Sequence, residues 1–443
     1  MKGVKERRIN VIFSKIKGVY ISEHKGHKEL SSMTPYGEYL NPEYVYIPLV
    51  EQDTVCEALV NVGDKVKLGQ LIAMKKGRFS SPIHASVSGE VVAVDTKMWH
   101  SSGKMVPTIQ IKNDFLETKV ESIKENNVSE LTSEQIIEKI RDCGIVGLGG
   151  SGFPAYVKYM GNCPIDTVII NAVECEPYIS DNYTIMKNQM DELISGIKFI
   201  MRAVDAHKAF LAIKKNKVEL IKKMQPYFDA EPDINMFFVK DEYPAGWEKY
   251  LVQRIVKKTY NNLPSEVGAV VNNAATALAI YRAVTYNMPL VEKMITISGR
   301  GLKNPQNVYV KIGTKLNDII KSMGGYTDDL GEAYFIAGGP MTGKSIPFDS
   351  MVVNRALTSV IVMPKLIDDT VYSCLGCGKC VENCPAFLSP VQIKNALDAG
   401  DKELLKEYHA EKCMQCGLCS YICPSRIELT ESVAKAKALL LKR

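Results

Sequence analysis

The sequence has no stretch that approaches the about 18 uninterrupted apolar residues of a membrane-spanning helix, so we expect no transmembrane span. The first ten residues, M-K-G-V-K-E-R-R-I-N, lack the apolar core of a secretory signal. Charge of one sign is not in large excess either, because the net charge is only +5. So mild a charge argues against nucleic acid as a partner but is compatible with acidic partners or an anionic membrane surface. These absences favour a cytoplasmic protein.

Cysteine, by contrast, is plentiful, with 12 residues in a chain of 443. Eight of them have metal-ligand spacing, and without a secretory signal we expect reduced thiols rather than disulfides. Cys56, Cys143 and Cys163 have no spaced partner and are predicted to be buried small residues.

The eight spaced cysteines form two copies of C-x2-C-x2-C-x3-C-P, which read C-L-G-C-G-K-C-V-E-N-C-P and C-M-Q-C-G-L-C-S-Y-I-C-P. This is the bacterial signature of a pair of [4Fe–4S] clusters, in which the fourth cysteine of each run ligates the cluster of the other run. The predicted ligand sets are Cys374, Cys377, Cys380 and Cys423 for one cluster, and Cys413, Cys416, Cys419 and Cys384 for the other. Two structural zinc sites are the alternative, but zinc does not require the triple C-x2-C-x2-C run. The motif predicts electron transfer.

The first quarter of the chain has the pattern of a small β domain. From Tyr46 to Ile111, short apolar runs alternate with turns that contain glycine or short polar residues. The two halves of this segment resemble the barrel-sandwich fold of biotinyl and lipoyl carrier domains, so we assign residues 1–113 to such a domain and expect residues 1–44 to be irregular. No M-K-M or D-K-A attachment lysine stands at the hairpin tip, which argues against a swinging arm. His84 alternates with inward apolar residues and is predicted to be structural rather than ligating.

A glycine-rich segment, G-L-G-G-S-G-F-P-A-Y-V-K, spans residues 147–158. Its small residues let the backbone approach a phosphate or a flat ring. The V-K-Y at residues 157–159 is expected to begin a helix whose N-terminal amides favour an anion. A simple tight turn is the alternative. The apolar run T-V-I-I-N then leads into A-V-E-C-E-P-Y, which puts Glu174 and Glu176 where α/β sheets place ligand contacts. Solvated acids in a strand-end turn are the alternative there.

Alternating helices and strands predict a βαβ-layered domain over residues 130–290. A capping box at Thr132 and Gln135 begins its first helix. The further helices are expected at about 190–204, 215–225 and 246–258, and the strands at 208–213, 235–239 and 268–272. Two more motifs, Y-P-A-G-W-E-K at 243–249 and V-N-N-A-A-T at 271–276, fall in this domain; a helix cap is the alternative role for the two asparagines. Residues 291–364 read as a small α+β unit with a short helix at 315–322, and residues 365–443 hold the cysteines and a final helix at 429–442.

In their order, these motifs resemble the C subunit of the Rnf electron-transport complex over nearly the whole chain. The middle of the chain also resembles the flavin-carrying, NADH-oxidising subunit of respiratory complex I. The resemblance implies a multidomain α/β and α+β fold: an N-terminal barrel-sandwich β domain, a central Rossmann-like flavin domain, an SLBB β-grasp unit and a C-terminal α-helical ferredoxin-like domain with two [4Fe–4S] clusters. Trp247 replaces the small residue that the family usually has, and it is expected to stack on a ring or to narrow the nicotinamide site.

The resemblance also implies non-covalent FMN in the central domain, with NADH lying over it. The flavin phosphate and backbone side would be held by Gly147, Gly149, Gly150, Gly152 and Lys158. The ribityl chain and isoalloxazine would be surrounded by Asn171, Glu174, Gly246, Asn272, Asn273 and Thr276. Phe153 and Tyr243 would pack against NADH, with Glu176 and Glu248 as the catalytic pair near its hydroxyls or nicotinamide. Cys175 is expected near the flavin as a packing residue without redox exchange.

The function implied is that of an NADH:ferredoxin oxidoreductase subunit, which exchanges electrons between NAD(H) and ferredoxin through FMN and two clusters. It would lie on the cytoplasmic, inner face of the cell membrane, beside other subunits that move sodium ions or protons. One alternative is a soluble relative that passes NADH electrons to a dedicated reductase, such as proline reductase. Another is a cluster relay or docking module without an NADH site.

Overall fold

In a computed structural model, the chain is described at residue 19 and over residues 26–161, 163–365 and 370–441, so the outer ends of the predicted domains 1–113 and 365–443 lie outside the described residues. The first two elements are a short helix, α1 (Glu29–Ser32), and a strand, β1 (Gly37–Tyr39). The prediction of irregular structure up to residue 44 missed β1, because three residues carry no recognisable alternation. Its partner is a strand about 270 residues later in the chain.

The N-terminal domain is made of short antiparallel strands whose apolar faces enclose one core. Its strands are β2 (Tyr44–Pro48), β3 (Val50–Glu51), β4 (Thr54–Val55), β5 (Glu57–Ala58), β6 (Lys65–Val66), β7 (Leu71–Lys75), β8 (Ser81–His84), β9 (Gly89–Trp99) and β10 (Met105–Asn113). They pair as β2-β10-β9-β6, β5-β7-β8 and β3-β4. The barrel-sandwich prediction is confirmed, and His84 is buried, as expected of a structural histidine.

The central domain is a parallel sheet with the strand order β13-β12-β11-β14, which is doubly wound. Its strands are β11 (Thr167–Asn171), β12 (Lys208–Lys214), β13 (Ile234–Val239) and β14 (Ala269–Asn273). The run T-V-I-I in β11 is buried throughout because helices cover both faces of the sheet. The helices are α2 (Ser133–Asp142), α3 (Asp181–Asn188), α4 (Met190–Val204), α5 (Val218–Asp229), α6 (Glu248–Val256) and α7 (Ala274–Tyr286).

The predicted capping box is present at the start of α2, where Thr132 and Gln135 bond reciprocally. Two predictions for this domain need correction. The segment after the glycine-rich loop forms only a single 3₁₀ turn (Ala155–Lys158), since Pro154 and the bridge between Val146 and Pro154 turn the chain back at once. Cys163 is exposed, whereas Cys56 and Cys143 are buried as predicted.

The third domain is a mixed six-stranded sheet in the order β1-β16-β15-β19-β17-β18. It contains β15 (Glu292–Ser298), β16 (Gln306–Lys311), the helix α8 (Leu316–Ser322), β17 (Ala333–Ala337), β18 (Lys344–Ile346) and β19 (Ser359–Pro364). Strand β1 completes the sheet by pairing in parallel with β16, so part of the N-terminal region belongs structurally to this domain.

The C-terminal domain is helical, and its own small core includes Ile393, Leu405 and Val433. Its helices are α9 (Lys379–Glu382), α10 (Pro390–Asp398), α11 (Lys402–Glu407), α12 (Leu418–Tyr421) and α13 (Leu429–Leu441). Within the described ranges, none of the helices combines the length and the apolar character needed to cross a bilayer.

Candidate functional site

The carboxyl ends of β11 and β14 lie side by side where the strand order reverses, since Asn171 and Asn273 are register partners. Doubly wound sheets bind ligands in the crevice outside this point. Here the crevice is a cavity of about 460 Å³, a volume typical of small-molecule and cofactor sites. All four domains line it. Beyond the central domain, the wall contains Ser101 and Ser102 of the β9–β10 hairpin, residues 337–339 and 342–344 of the third domain, and Met414 and Cys416 of the C-terminal domain.

The glycine-rich loop closes against the start of α7. A Cβ atom added to Gly149 would lie 3.1 Å from Cβ of Asn273, which is tighter than most Cβ contacts, so a side chain there would require a small shift of the loop or the helix. Gly150 and Gly152 have positive φ angles of 100° and 58°, which favour glycine. The Leu148 amide donates to Thr276 Oγ1 at 2.9 Å, and Asn273 Oδ1 accepts from the Ala275 amide and caps α7. The loop and a 13-residue helix therefore present backbone amides at one edge of the cavity.

The cavity brings eight of the predicted flavin and NADH residues together and leaves seven outside its lining. The eight that line it are Gly149, Gly150, Asn171, Glu174, Glu176, Tyr243, Gly246 and Asn273. The seven others are Gly147, Gly152, Phe153, Lys158, Glu248, Asn272 and Thr276. Cys175 and Trp247 also line the cavity, and burial raises the pKa of the Cys175 thiol.

Four of these seven residues contact other parts of the protein. Lys158 Nζ donates to the Val271 carbonyl at 2.7 Å, under β14, and burial lowers its pKa. Asn272 is buried, its Oδ1 accepts from Tyr159, and its Nδ2 has no hydrogen-bond partner among the described residues. Phe153 packs edge-on against Phe79 of the N-terminal domain, with the ring centroids 5.5 Å apart. Glu248 accepts a hydrogen bond of 2.9 Å from the Tyr260 hydroxyl.

Glu176 holds a turn of the third domain. Its carboxylate accepts from the Met341 amide at 3.0 Å and from the Thr342 hydroxyl. A Cβ atom at Gly339 would lie 2.3 Å from Glu176 Oε2, so only glycine fits under this carboxylate. Burial raises the pKa of Glu176, while the hydrogen bond from Thr342 lowers it. Glu176 therefore fixes the third domain against the central one, and it also faces the cavity.

Glu174 and Asp181 form an acidic floor beneath the cavity. Glu174 adopts a positive φ of 48° and accepts from the Tyr183 amide at 3.0 Å. Burial raises the pKa of Glu174, and it raises the pKa of Asp181 to about 7. The buried Lys28 ammonium lies near Glu174, and burial lowers its pKa to about 8. It donates to the Glu176 carbonyl at 2.6 Å, which anchors the α1 region to this floor.

The cysteines of the two runs lie beside each other in the C-terminal domain. Burial raises the pKa of Cys380, and the neighbouring thiolates of Cys423 and Cys374 raise it further. Burial raises the pKa of Cys416 to about 12, with further contributions from Cys384, Cys419 and Cys413. Each fourth cysteine therefore lies near thiols of the opposite run. In the described residues, no three His, Cys, Asp or Glu side chains are close enough to hold a single metal ion.

Backbone amides point at the cysteine sulfurs. Gly376 donates to Cys374 Sγ at 3.4 Å, Leu388 to Cys384 Sγ at 3.3 Å and Gln415 to Cys413 Sγ at 3.3 Å. Amide hydrogen bonds to ligand sulfurs are characteristic of iron–sulfur sites, where they help set the reduction potential. The donor set and these amides therefore fit cluster ligation.

The C-terminal domain docks onto the cavity through Cys416. The Tyr243 hydroxyl donates a hydrogen bond to the Cys416 carbonyl, and Cys416 itself lines the cavity. The next residue, Gly417, has a φ of 78°, and a Cβ atom there would lie 2.0 Å from the Met341 carbonyl oxygen. One of the two cysteine groups is therefore at the cavity wall, whereas Cys374 and Cys377 of the other group are exposed.

Apart from Cys416, the wall residues from outside the central domain were not predicted as site residues from the sequence. Ser101, Ser102 and Lys344 belong to no motif, so only the tertiary arrangement identifies them. The cavity itself fits a flavin nucleotide: it has the volume of a cofactor site, the glycine-rich loop leaves little room for a side chain at Gly149, and Asn273 at the amino end of α7 lines it.

Four family models match the chain in the order of its domains. They are the RnfC barrel sandwich hybrid domain over residues 14–116, the Nuo51 FMN-binding domain over 140–282, the SLBB domain over 294–345 and the 4Fe-4S dicluster domain over 373–427. These matches confirm the predicted fold class. FMN and iron–sulfur clusters are thus the cofactors of the chain, which is an electron-transfer oxidoreductase subunit; structural zinc is not supported.

Curated relatives match most of the chain. The C subunit of the Na(+)-translocating ferredoxin:NAD(+) oxidoreductase complex of Acetobacterium woodii is 32% identical, over 83% of this chain and 84% of its own length. The C subunit of the ion-translocating oxidoreductase complex of Rhodobacter capsulatus is 34% identical, over 85% and 74%. The C subunit of the proton-translocating ferredoxin:NAD(+) oxidoreductase complex of Clostridium ljungdahlii is 33% identical, over 84% and 81%. The chain belongs to the family formed by the C subunits of Rnf electron-transport complexes.

Proposed function

We propose that the chain oxidises NADH at the cavity and passes the electrons one at a time through its two clusters to a partner. The observation that carries this proposal is the position of Cys416, which lines the same cavity as Asn171 and Asn273. Bound FMN supplies the chemistry, because it accepts a hydride and releases electrons singly. A cluster ligand in the cavity wall leaves no intervening domain for the electrons to cross.

The chain's own residues bind and orient the nucleotides. Gly149, Gly150 and the amino end of α7 hold the flavin, and Asn171 and Asn273 bond to it at the sheet edge. Trp247 and Tyr243 form the apolar wall against which the nicotinamide packs. Glu176 accepts hydrogen bonds from NADH with the part of its carboxylate that faces the cavity, while the third domain keeps that side chain in place.

The cluster that Cys374, Cys377, Cys380 and Cys423 would hold would be the exit for electrons, because it would be the more exposed of the two. Cys374 and Cys377 are exposed, as is Leu375 between them, so a partner can approach this cluster closely. The names of the relatives support ferredoxin as that partner and an ion-translocating complex as the setting. In this proposal the chain is a peripheral subunit on the inner face of the cell membrane, where other subunits couple electron flow to ion movement.

The test is an anaerobic absorption spectrum of reconstituted protein, with iron and flavin analysis, before and after NADH is added. We expect about eight irons and one FMN per chain, from two four-iron clusters, and prompt bleaching by NADH. Reduced ferredoxin should bleach the same chromophores. Intact flavin and clusters that ignore NADH but accept electrons from ferredoxin would contradict the proposal and make the chain a relay.

A further inference from the structure

The cavity has an uneven distribution of charge. Three carboxylates line it, those of Glu174, Glu176 and Asp181, whereas Lys344 is the only lysine or arginine among its described lining residues. The Lys344 side chain is exposed and, within the described part of the chain, makes no hydrogen bond or ion pair. An anionic ligand group that enters this cavity therefore meets acidic side chains at the floor and a single cationic side chain, Lys344, at the wall.

Lys158 is the cation that the family resemblance implies for the flavin phosphate, and that role stays a prediction. Its ammonium group is bonded to the Val271 carbonyl at 2.7 Å and lies outside the cavity lining. Backbone amides of the glycine-rich loop provide hydrogen bonds but no full positive charge. A nucleotide that carries a phosphate in this cavity thus has Lys344 as its nearest candidate counter-ion.

Two serines of the N-terminal domain, Ser101 and Ser102, line the cavity together with Lys344. The tip of the β9–β10 hairpin packs on β18, where a Cβ atom at Gly103 would lie 3.6 Å from the Ser345 carbonyl oxygen. The tip is fixed from both sides: the Val352 amide donates to the Trp99 carbonyl at 3.0 Å, and Asn354 Nδ2 donates to Ser101 Oγ at 2.7 Å. Lys344 is also close enough to His100 for its charge to lower the pKa of that imidazole, which burial lowers more.

We propose that Lys344, Ser101 and Ser102 form a subsite that binds a phosphate group of a nucleotide in the cavity. The inference rests on the proposed function for the presence of a nucleotide, and it adds a role for the barrel-sandwich domain, whose hairpin supplies both hydroxyls. The lysine gives the charge. The Ser101 hydroxyl accepts from Asn354 and keeps its own proton for a phosphate oxygen. The Ser102 hydroxyl lies 3.0 Å from His100 Nδ1 and must turn from that nitrogen to donate to a phosphate. The phosphate belongs either to FMN or to the pyrophosphate of the dinucleotide.

The test compares Lys344→Gln with Lys321→Gln, a substitution of an exposed lysine in α8 of the same domain that does not line the cavity. Affinities of the full-length, cluster-loaded protein are measured for FMN and for riboflavin, and rates of flavin reduction for NADH and for reduced nicotinamide riboside. Because a charge-assisted hydrogen bond contributes substantially to binding, we expect Lys344→Gln to weaken the binding of one phosphate-bearing ligand by about tenfold or more. The loss should shrink as ionic strength rises.

The two sources of phosphate give different patterns. Weaker FMN binding with unchanged riboflavin binding assigns the subsite to the flavin phosphate. Unchanged FMN binding, with slower reduction by NADH but not by reduced nicotinamide riboside, assigns it to the dinucleotide. Ser102→Asp should weaken the binding of the same ligand, because it adds a negative charge. Lys344→Arg should keep the affinity within about threefold of the wild-type value.

Equal behaviour of Lys344→Gln and Lys321→Gln toward both FMN and NADH would overturn the inference. An equal loss of riboflavin and FMN would overturn it too, because the phosphate would then not be what the lysine binds. Failure of the proposed function looks different: wild-type protein would bind FMN but not react with NADH, and the FMN and riboflavin comparison would still decide whether Lys344 binds phosphate.

Discussion

Glu176 touches both the cavity and the turn that contains Met341 and Thr342. In Glu176→Gln the amide oxygen still accepts from the Met341 amide, so the turn persists while the charge is lost. We expect FMN content to stay the same and the KM for NADH to rise about tenfold, which corresponds to about 1.4 kcal/mol. Steady-state kinetics and flavin analysis measure the two effects.

Glu176→Ala is the informative comparison, because it removes both acceptors of the turn. We expect this variant to lose FMN as well as NADH affinity. If Glu176→Gln lost flavin and NADH affinity to the same degree, a role for this carboxylate in binding the dinucleotide would be wrong.

His84 makes the stability of the N-terminal domain depend on pH. Burial, and then the Arg355 guanidinium, lower the pKa of its imidazole from 6.5 to about 3. Below pH 6.5 the unfolded chain therefore binds a proton that the folded chain does not, so stability falls with decreasing pH between 6.5 and 3. The loss is about 1.4 kcal/mol per pH unit for one such group.

His84→Gln removes this dependence. Melting temperatures between about pH 7.5 and 5.5 should therefore decrease more steeply for the wild-type protein than for the variant. The pH is kept in this mild range so that the clusters remain intact. If the melting temperatures of the two proteins fell equally with pH, the prediction would be contradicted. Water or a buried neighbouring group would then stabilise the protonated imidazole of His84.

The glycine-rich loop depends on close approach to α7, and Gly149→Ala tests that contact. Its added methyl group would lie 3.1 Å from Asn273 Cβ, tighter than ordinary van der Waals contact. We expect FMN affinity to fall about tenfold while the melting temperature changes little, because the loop must shift away from the cavity edge.

Gly161→Ala is the matched control, since nothing lies within 4 Å of a Cβ atom at this exposed residue. It should bind FMN like the wild-type protein. Flavin fluorescence titration measures both variants, and unchanged affinity in Gly149→Ala would remove the loop from the flavin site.

The internal symmetry of the C-terminal domain provides a second matched pair. Gly378 and Gly417 each follow the second cysteine of their run, and their φ angles are 72° and 78°. A Cβ atom at Gly378 meets nothing within 4 Å, whereas at Gly417 it would lie 2.0 Å from the Met341 carbonyl oxygen. The two alanine substitutions thus impose the same backbone strain but differ in the docking contact.

Gly417→Ala should slow electron transfer from flavin to the clusters by about tenfold or more, while Gly378→Ala leaves the rate close to that of the wild-type protein. The physical reason is that the methyl group pushes Cys416 away from the cavity wall. Stopped-flow absorbance separates flavin reduction from cluster reduction. Equal effects of the two substitutions would mean that strain, and not docking, controls the rate.

Features that depend on near neighbours in the chain could be predicted from the sequence, whereas features that depend on distant residues could not. The apolar run of β11, the capping box of α2 and the cysteine spacing depend on near neighbours in the chain, and the corresponding elements were predicted. The position of Lys158 depends on which way its side chain leaves a short 3₁₀ turn, and that of Phe153 on its packing against Phe79 of another domain; the motif encodes neither. Ser102 and Lys344 line the same cavity although about 240 residues separate them in the sequence, and no local pattern signals this arrangement.

At the scale of the whole molecule, the domains differ in what stabilises them, and we expect the clusters to stabilise the C-terminal domain. Its core is small, so much of its folding free energy comes from the bonds to iron. Chelation of iron should therefore make residues 370–441 susceptible to protease while the sheets of the other domains stay protected. Hydrogen–deuterium exchange with mass spectrometry follows each region separately. Unchanged protection of residues 370–441 in the iron-free protein would contradict this expectation.

The wall made by all four domains has a consequence for biogenesis. We expect a chain in which any one domain is unfolded to have an incomplete flavin site and to retain the nucleotide poorly. Stable flavin binding would then occur only after all four domains have folded. Reduced flavin that is not connected to an electron acceptor reacts with oxygen, so a half-built enzyme is kept from becoming a source of oxidants.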